Sequence, residues 1–205
     1  MYFGKNKSIL IIGTVVLLLI IVVAVISTFW PKYEERFFEL GLLGKDQTAD
    51  GYFPNNNSTI QLGSQISCYL YIHNHMGDFQ EVSIRVKLLN STIGVPNDRE
   101  HRPSPVTPFA EFPLSLSLNE TLIVPFSWSI LEMDSQNSSV ILKRLMVNEK
   151  TVEVEAAASS DSFFRIVFEL WVYDQSSREY KFGWKSGNEF FSASLNIGFD
   201  VGSLA

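Results

Sequence analysis

The chain is poor in cysteine, histidine and charge, and each shortage excludes something. Cys68 is the single cysteine among 205 residues, so no intramolecular disulfide can form. Secreted eukaryotic domains of this size often carry one, and its absence leans toward a prokaryotic surface protein. The three histidines are His73, His75 and His101, so a Ser-His-Asp site would have to use one of them. No Gly-x-Ser-x-Gly, His-Glu-x-x-His or P-loop pattern occurs. No loop carries the closely spaced acids that a calcium ion takes as ligands. Glu132, Asp134, Glu153 and Glu155 are compatible with glycosidase pairing, but any strand-rich chain offers such pairs by accident. The expectation is therefore a protein that is not an enzyme and needs no cofactor.

Charged residues make up 19% of the chain and the net charge is −6. The sign is uneven. The first thirty residues hold Lys5 and Lys7 and no acid, which leaves 14 basic and 22 acidic residues beyond them, a balance of −8. An acidic body repels nucleic acid and anionic lipid surfaces, so no nucleic-acid partner is expected.

What the chain does have is one long apolar run and many aromatics. Ile9 to Ile26 contains Ile, Leu, Val, Ala and Gly, broken only by Thr14. At about 1.5 Å per helical residue it matches a hydrocarbon core of roughly 30 Å. Tyr2 and Phe3 lie near one end and Phe29, Trp30 and Tyr33 near the other, as in interfacial aromatic belts. Lys5, Lys7 and the terminal amine precede the run, so the positive-inside rule places the N-terminus in the cytoplasm. The resulting division is a cytoplasmic N-terminus over 1–8, a transmembrane helix over 9–29, a juxtamembrane linker over 30–35 and an extracytoplasmic domain over 36–205. The helix contacts membrane lipid. A cleaved signal peptide is the rival, with Val25 and Ser27 as small cleavage-site residues, but the apolar core exceeds the usual length of such a segment.

Five Asn-x-Ser/Thr sequons, at Asn56, Asn57, Asn90, Asn119 and Asn137, all follow the span, whereas chance would supply about one or two. They agree with an extracellular, glycosylated body, with turn-forming Asn and Ser that carry no sugar as the alternative.

From Arg36 onward apolar residues recur with period two, the mark of half-buried strands. Arg36 to Leu43 forms the first run. In the second, Ile66, Cys68, Leu70 and Ile72 share a face. The third places Val82, Ile84, Val86 and Leu88 inward, with Ser83, Arg85 and Lys87 outward. Leu114, Leu116 and Leu118 alternate with serines, and Leu122 to Ile130 continues beyond the Asn119-Glu120 turn. Leu142 to Val154 reads as a hairpin about Asn148-Glu149-Lys150. Phe164 to Val172 pairs with Tyr180, Phe182 and Trp184, and Phe191 to Phe199 alternates without a break. Ala156 to Asp161 reads as a loop or one helical turn. Eight or nine such strands predict an all-β, antiparallel β-sandwich, with an open barrel as the alternative. Ser91 to Glu111, with four prolines, is a long loop that is either a contact surface or a free excursion.

Three fragments resemble an uncharacterised family of archaeal membrane proteins, a domain of unknown function. They are Glu35-Arg36-Phe37-Phe38-Glu39-Leu40-Gly41-Leu42-Leu43-Gly44, Gly63 with the strand ending Ile72-His73-Asn74-His75, and Phe164 to Tyr173. The resemblance implies an Ig-like β-sandwich outside the membrane. Its members usually carry several spans before the domain, whereas this chain shows one, and no catalytic residues come with the likeness.

Cys68, His73, His75 and Met76 are the candidate metal ligands. Their types and the Cys-x4-His-x2-Met spacing resemble the ligand loop of blue-copper proteins. Against copper, no histidine precedes position 73, about 130 residues follow Met76, and strand parity sets Cys68 on the face opposite His73. A copper-binding or electron-transfer role is thus the alternative reading. A carbohydrate-binding module stacking sugars on Tyr69, Tyr71, Trp171 or Trp184 is another. The leading expectation is a membrane-anchored Ig-like module that contacts other membrane or envelope proteins, as an accessory subunit or envelope component.

Overall fold

A computed structural model describes residues 3–29, 35–136, 139–159 and 162–202, with side chains of the N-terminal helix described over 12–26. The chain divides into two compact units, 1–34 and 35–205. The first contains α1 (Phe3–Phe29). Its described side chains are apolar on every side and exposed, from Ile12 to Ile26. Among the described residues no helix is long and apolar enough to cross a membrane. The stretch over 12–26 falls short of the roughly twenty residues that a span takes. The rest of the expected 9–29 segment lies outside the described side chains, as do Tyr2, Lys5, Lys7, Trp30 and Tyr33.

The second unit is all strand. In chain order these are β1 (Phe38–Leu43), β2 (Thr59–Ile60), β3 (Ile66–Asn74), β4 (Gln80–Asn90), β5 (Ala110–Leu116), β6 (Thr121–Gln136) and β7 (Ser139–Val147). They continue with β8 (Lys150–Ser159), β9 (Phe163–Asp174), β10 (Glu179–Phe182), β11 (Trp184–Ser186), β12 (Glu189–Phe191) and β13 (Ser194–Val201). A five-stranded sheet has the order β1-β3-β6-β7-β8, and a six-stranded sheet the order β2-β13-β9-β4-β5 with β10 added on β9. The chain passes between the sheets several times, with hairpins β4–β5, β6–β7–β8 and β9–β10 inside one sheet or the other, and the two inner faces form one core. The result is a β-sandwich.

The inner faces are those that alternation selects. Ile66, Cys68, Leu70 and Ile72 from β3 meet Val82, Ile84, Val86 and Leu88 from β4, all buried. Aromatic side chains fill the space between the sheets: Phe126 of β6 meets Phe168 of β9 edge-on at 5.0 Å, and Trp128 lies 4.7 Å from Phe199 of β13. Edge-to-face rings set the negative face of one against the positive rim of the other, an arrangement more favourable than a face-to-face sandwich.

β6 links both halves of its sheet, pairing β3 through Trp128 and β7 from Trp128 onward. Pro125 lies before the β7 pairing begins, where its missing N–H costs no ladder bond. Asn148, in the β7–β8 turn, extends the ladder there: its Oδ1 accepts from Ser127 N at 2.7 Å and its Nδ2 donates to Pro125 O at 3.0 Å. Asn148 and Glu149 both take positive φ, as a tight hairpin with matching twist requires.

Three expectations change. Ala156 to Ser159 is not a loop, because Ala156, Ala157 and Ala158 pair in register with Leu142, Ile141 and Val140 and extend β8. Leu118 does not join the core. β5 ends at Leu116, and Leu118 is exposed beside the turn. The last hairpin breaks at Gly183 (φ +103), where an added Cβ would lie 2.2 Å from Phe191 O. The chain turns there, so Trp184 pairs with Phe191 in a separate two-stranded ribbon instead of extending β10.

Phe126 joins both sheets, meeting Phe112 of β5 and Phe168 of β9 edge-on. Phe126→Ala should cost about 3–5 kcal/mol through lost transfer energy and the cavity left behind. A urea titration of the folded chain should show this as a lower midpoint at unchanged slope.

Candidate functional site

The outer face of the five-stranded sheet gathers the titratable groups. Glu39 on β1 stands directly opposite His73 on β3, and His75 lies two residues further along the same face. One ligand atom from each of the three falls within 4.8 Å of the others. The rings are stacked, Phe37 on His75 at 4.4 Å and His75 on His73 at 4.0 Å, with interplanar angles of 20° and 17°. Glu39 Oε1 is 3.3 Å from His75 Nε2. Tyr71 donates its hydroxyl to Glu39 Oε2 at 3.2 Å, and Thr121 Oγ1 is 2.7 Å from His73 Nδ1. Gly41, opposite Tyr71, lets the tyrosine ring lie against β1: an added Cβ would sit 3.5 Å from the ring.

The strand end that carries both histidines is pinned by a buried polar side chain. Asn74 Nδ2 faces the carbonyls of Asp78, Leu116 and Ser117 at 2.8–3.2 Å, and its Oδ1 accepts from Met76 N at 2.9 Å. Its main chain bonds Glu120 and Asn119 across the β5–β6 turn. A side chain that satisfies several backbone groups without water fixes the local geometry, because losing any partner leaves a buried group unpaired.

The sequence-derived ligand set does not come together. Cys68 and Met76 are buried in the core, on the side of the sheet opposite His73 and His75. Burial pushes the Cys68 thiol up to about 12, so it stays protonated. Glu39 takes the place that spacing along one strand assigned to the thiolate. Among the proposed sugar platforms, Trp184 is buried, and Trp171 is covered by the Arg85 guanidinium 3.8 Å above its ring. Tyr69 and Tyr71 remain on the outer face. His101 is 3.2 Å from Ser192 Oγ through Nδ1, but Asp98 bonds Ser192 and Ser194 rather than the imidazole. That order provides no acid–base relay of the Ser-His-Asp kind.

The middle of the six-stranded sheet's outer face is covered. Ser83, Lys87, Leu89 and Val167 point outward yet are buried, and the Pro-rich loop folds back over Lys87 and its neighbour Glu169. Glu169 is fully buried and Lys87 nearly so, with side chains 0% and 4% exposed and Nζ 2.8 Å from Oε2. Ser104 of the loop completes the arrangement. Its N and Oγ donate to Glu169 Oε1 at 2.7 and 2.9 Å, and its carbonyl accepts from Lys87 Nζ at 2.8 Å. Trp171 Nε1 donates to Oε2 at 3.0 Å. Further along the loop, Asp98 accepts from Ser194, and burial raises its carboxyl above the usual carboxylate range despite those hydrogen bonds. The Ser91–Glu111 stretch is thus a strap rather than a free excursion. Alternation identified Lys87 as outward, but nothing local announced that outward there means buried.

Of the sequons, Asn56, Asn57 and Asn119 are exposed in turns. Asn90 donates Nδ2 to Ala157 O at 2.5 Å and is half-buried, so a glycan there would have to break that bond. Asn137 lies outside the described residues.

No protein-family model and no curated protein matches the chain. Solved structures resemble it at low identity. One is the CARDB domain of the PF1109 protein from Pyrococcus furiosus in complex with di-metal ions, at 9% identity over 83% of this chain and 96% of that one, TM-score 0.39. Another is β-glucosidase from Listeria innocua, at 14% identity over 82% of this chain, TM-score 0.39; the chain spans 16% of that enzyme's length. Likenesses this low assign neither family nor activity.

Two outcomes follow from these environments. Cys68 should resist a thiol reagent such as DTNB in the folded chain and react fully once the chain is unfolded in guanidinium, since only the thiolate attacks. Lys87→Met should cost about 3–5 kcal/mol by stranding the Glu169 carboxylate, and should expose the strap to limited proteolysis. Adding Glu169→Gln to it should recover part of the loss, which paired urea titrations would read.

Proposed function

We propose that the chain is a membrane-anchored, extracytoplasmic Ig-like module that works by protein–protein contact, as an accessory subunit of a membrane complex or a component of the cell envelope, without an enzymatic activity of its own. The observation that carries this reading is the contrast between the two outer faces. The strap covers the middle of one, around Lys87 and Glu169. On the other, Ile123 is 44% exposed beside Tyr71, with Pro125 next to Tyr69 in the same rows. Exposed aliphatic and aromatic groups on a rigid sheet are the usual material of a contact surface.

Anchoring is supported by the sequence of α1. A helix that is apolar on all sides finds no favourable place in water and takes an apolar surround. Lys5 and Lys7 near its N-terminal end, ahead of the apolar run, and the acidic body after it fit an N-terminus in the cytoplasm. The likeness of three fragments to archaeal membrane proteins points the same way.

The test is site-specific photo-crosslinking in the native membrane, with the probe at Ile123 and a control probe at Glu179 on β10. The chain should stay with the membrane through a carbonate wash. Ile123 should capture one defined protein and Glu179 should not. Release by carbonate, or recovery of the chain alone from both probes, would overturn the reading.

A further inference from the structure

We infer that Glu39, His73 and His75 form a binding site for a late first-row divalent ion of the zinc or copper(II) type. The inference stands apart from the contact-module reading, since it concerns three side chains and needs no partner protein.

The donor set defines the ion class. Two imidazoles and one carboxylate suit zinc, copper or nickel, whereas calcium and magnesium take oxygen ligands almost exclusively. Zinc–ligand bonds of about 2.0–2.1 Å in tetrahedral geometry place ligand atoms roughly 3.3 Å apart. The three donors already lie within 4.8 Å of one another, and Glu39 Oε1 and His75 Nε2 are at 3.3 Å. Small side-chain rotations close the remainder.

The surroundings are built for it. The Asn74 network and the bond from His75 N to Phe37 O at 2.9 Å hold the backbone. The Phe37–His75–His73 stack limits ring rotation. Thr121 engages His73 Nδ1 and leaves Nε2 for an ion, while Tyr71 holds Glu39 Oε2 and leaves Oε1 turned toward His75. Such second contacts to ligating groups fix tautomer and direction. His75 Nε2 is itself shielded from solvent, and no hydrogen bond reaches it among the described residues. Its polar neighbour is Glu39 Oε1 at 3.3 Å, outside hydrogen-bond geometry; an ion held between the two would satisfy both. Three protein ligands on an open face leave a coordination position for water or a further group.

The experiment uses the full, untagged chain in detergent, stripped with EDTA and dialysed against zinc chloride at micromolar free ion, with the bound metal measured by elemental analysis. One zinc per chain is expected. His73→Ala and His75→Ala should abolish binding, and Glu39→Gln should weaken it. Thr121→Val should cost about tenfold in affinity. Cys68→Ser should bind as the unaltered chain does. Thermal unfolding without metal checks that each variant is folded; if an alanine variant is not, Thr121→Val and Glu39→Gln carry the test. The inference is overturned by zinc below stoichiometry at that concentration, by binding that survives loss of both histidines, or by binding lost with Cys68.

Discussion

Period-two alternation of side chains along a strand is the constraint on which this structure depends. Each residue faces one side of its sheet and its neighbours face the other, so a single choice of register assigns every side chain of a strand at once. In β3 that choice sends Ile66, Cys68, Leu70 and Ile72 into the core and Tyr69, Tyr71 and His73 outward. It separates a thiol from two imidazoles that lie within eight residues of it in sequence. A blue-copper reading and a core cysteine are therefore not degrees of one hypothesis. Five positions apart, Cys68 and His73 fall on opposite faces in either register, so a shared site would need the strand broken between them, and the burial of four apolar side chains keeps it whole.

Alternation made most of the sandwich legible, since β3, β4, β6, β9 and β13 all carry unbroken apolar faces. It could not reveal what covers an outer face. Lys87 alternates as a solvent-facing lysine does, yet it is buried because Ser104, seventeen residues on, brings a carbonyl to its ammonium group. That contact depends on the path of the loop, which local periodicity does not encode. The alanine-rich end of β8 was illegible for the opposite reason. Its residues have weak strand preference, and pairing with Val140, Ile141 and Leu142 overrides it. Glu39 was missed as a neighbour of His73 because the partner came from another strand, and cross-strand register is a property of the fold.

A buried Lys–Glu pair adds little net stability when compared with apolar residues of the same volume, since desolvation offsets most of the attraction. Its value here lies in geometry. Glu169 has four donors arranged around two oxygens, and two of them belong to Ser104. A loop placed one residue out of register would take both donors from Oε1 and the carbonyl acceptor from the Lys87 ammonium, at several kcal/mol by order of magnitude. The pair thus selects one path for a proline-rich segment whose own sequence permits many.

The strap covers the middle of one outer face, and among the described residues no loop crosses the other in the same way. There the outward residues keep their access: Tyr71 and Ile123 in one row, Glu39, His73 and Thr121 in the next. Tyr71 joins the two rows, because its ring lies over Gly41 in its own row and its hydroxyl donates to Glu39 in the next. Removing that side chain would take a donor from the carboxylate and reshape the apolar row together. The polar cluster and the exposed apolar groups therefore share one support, and a change to either reaches the other through a single ring.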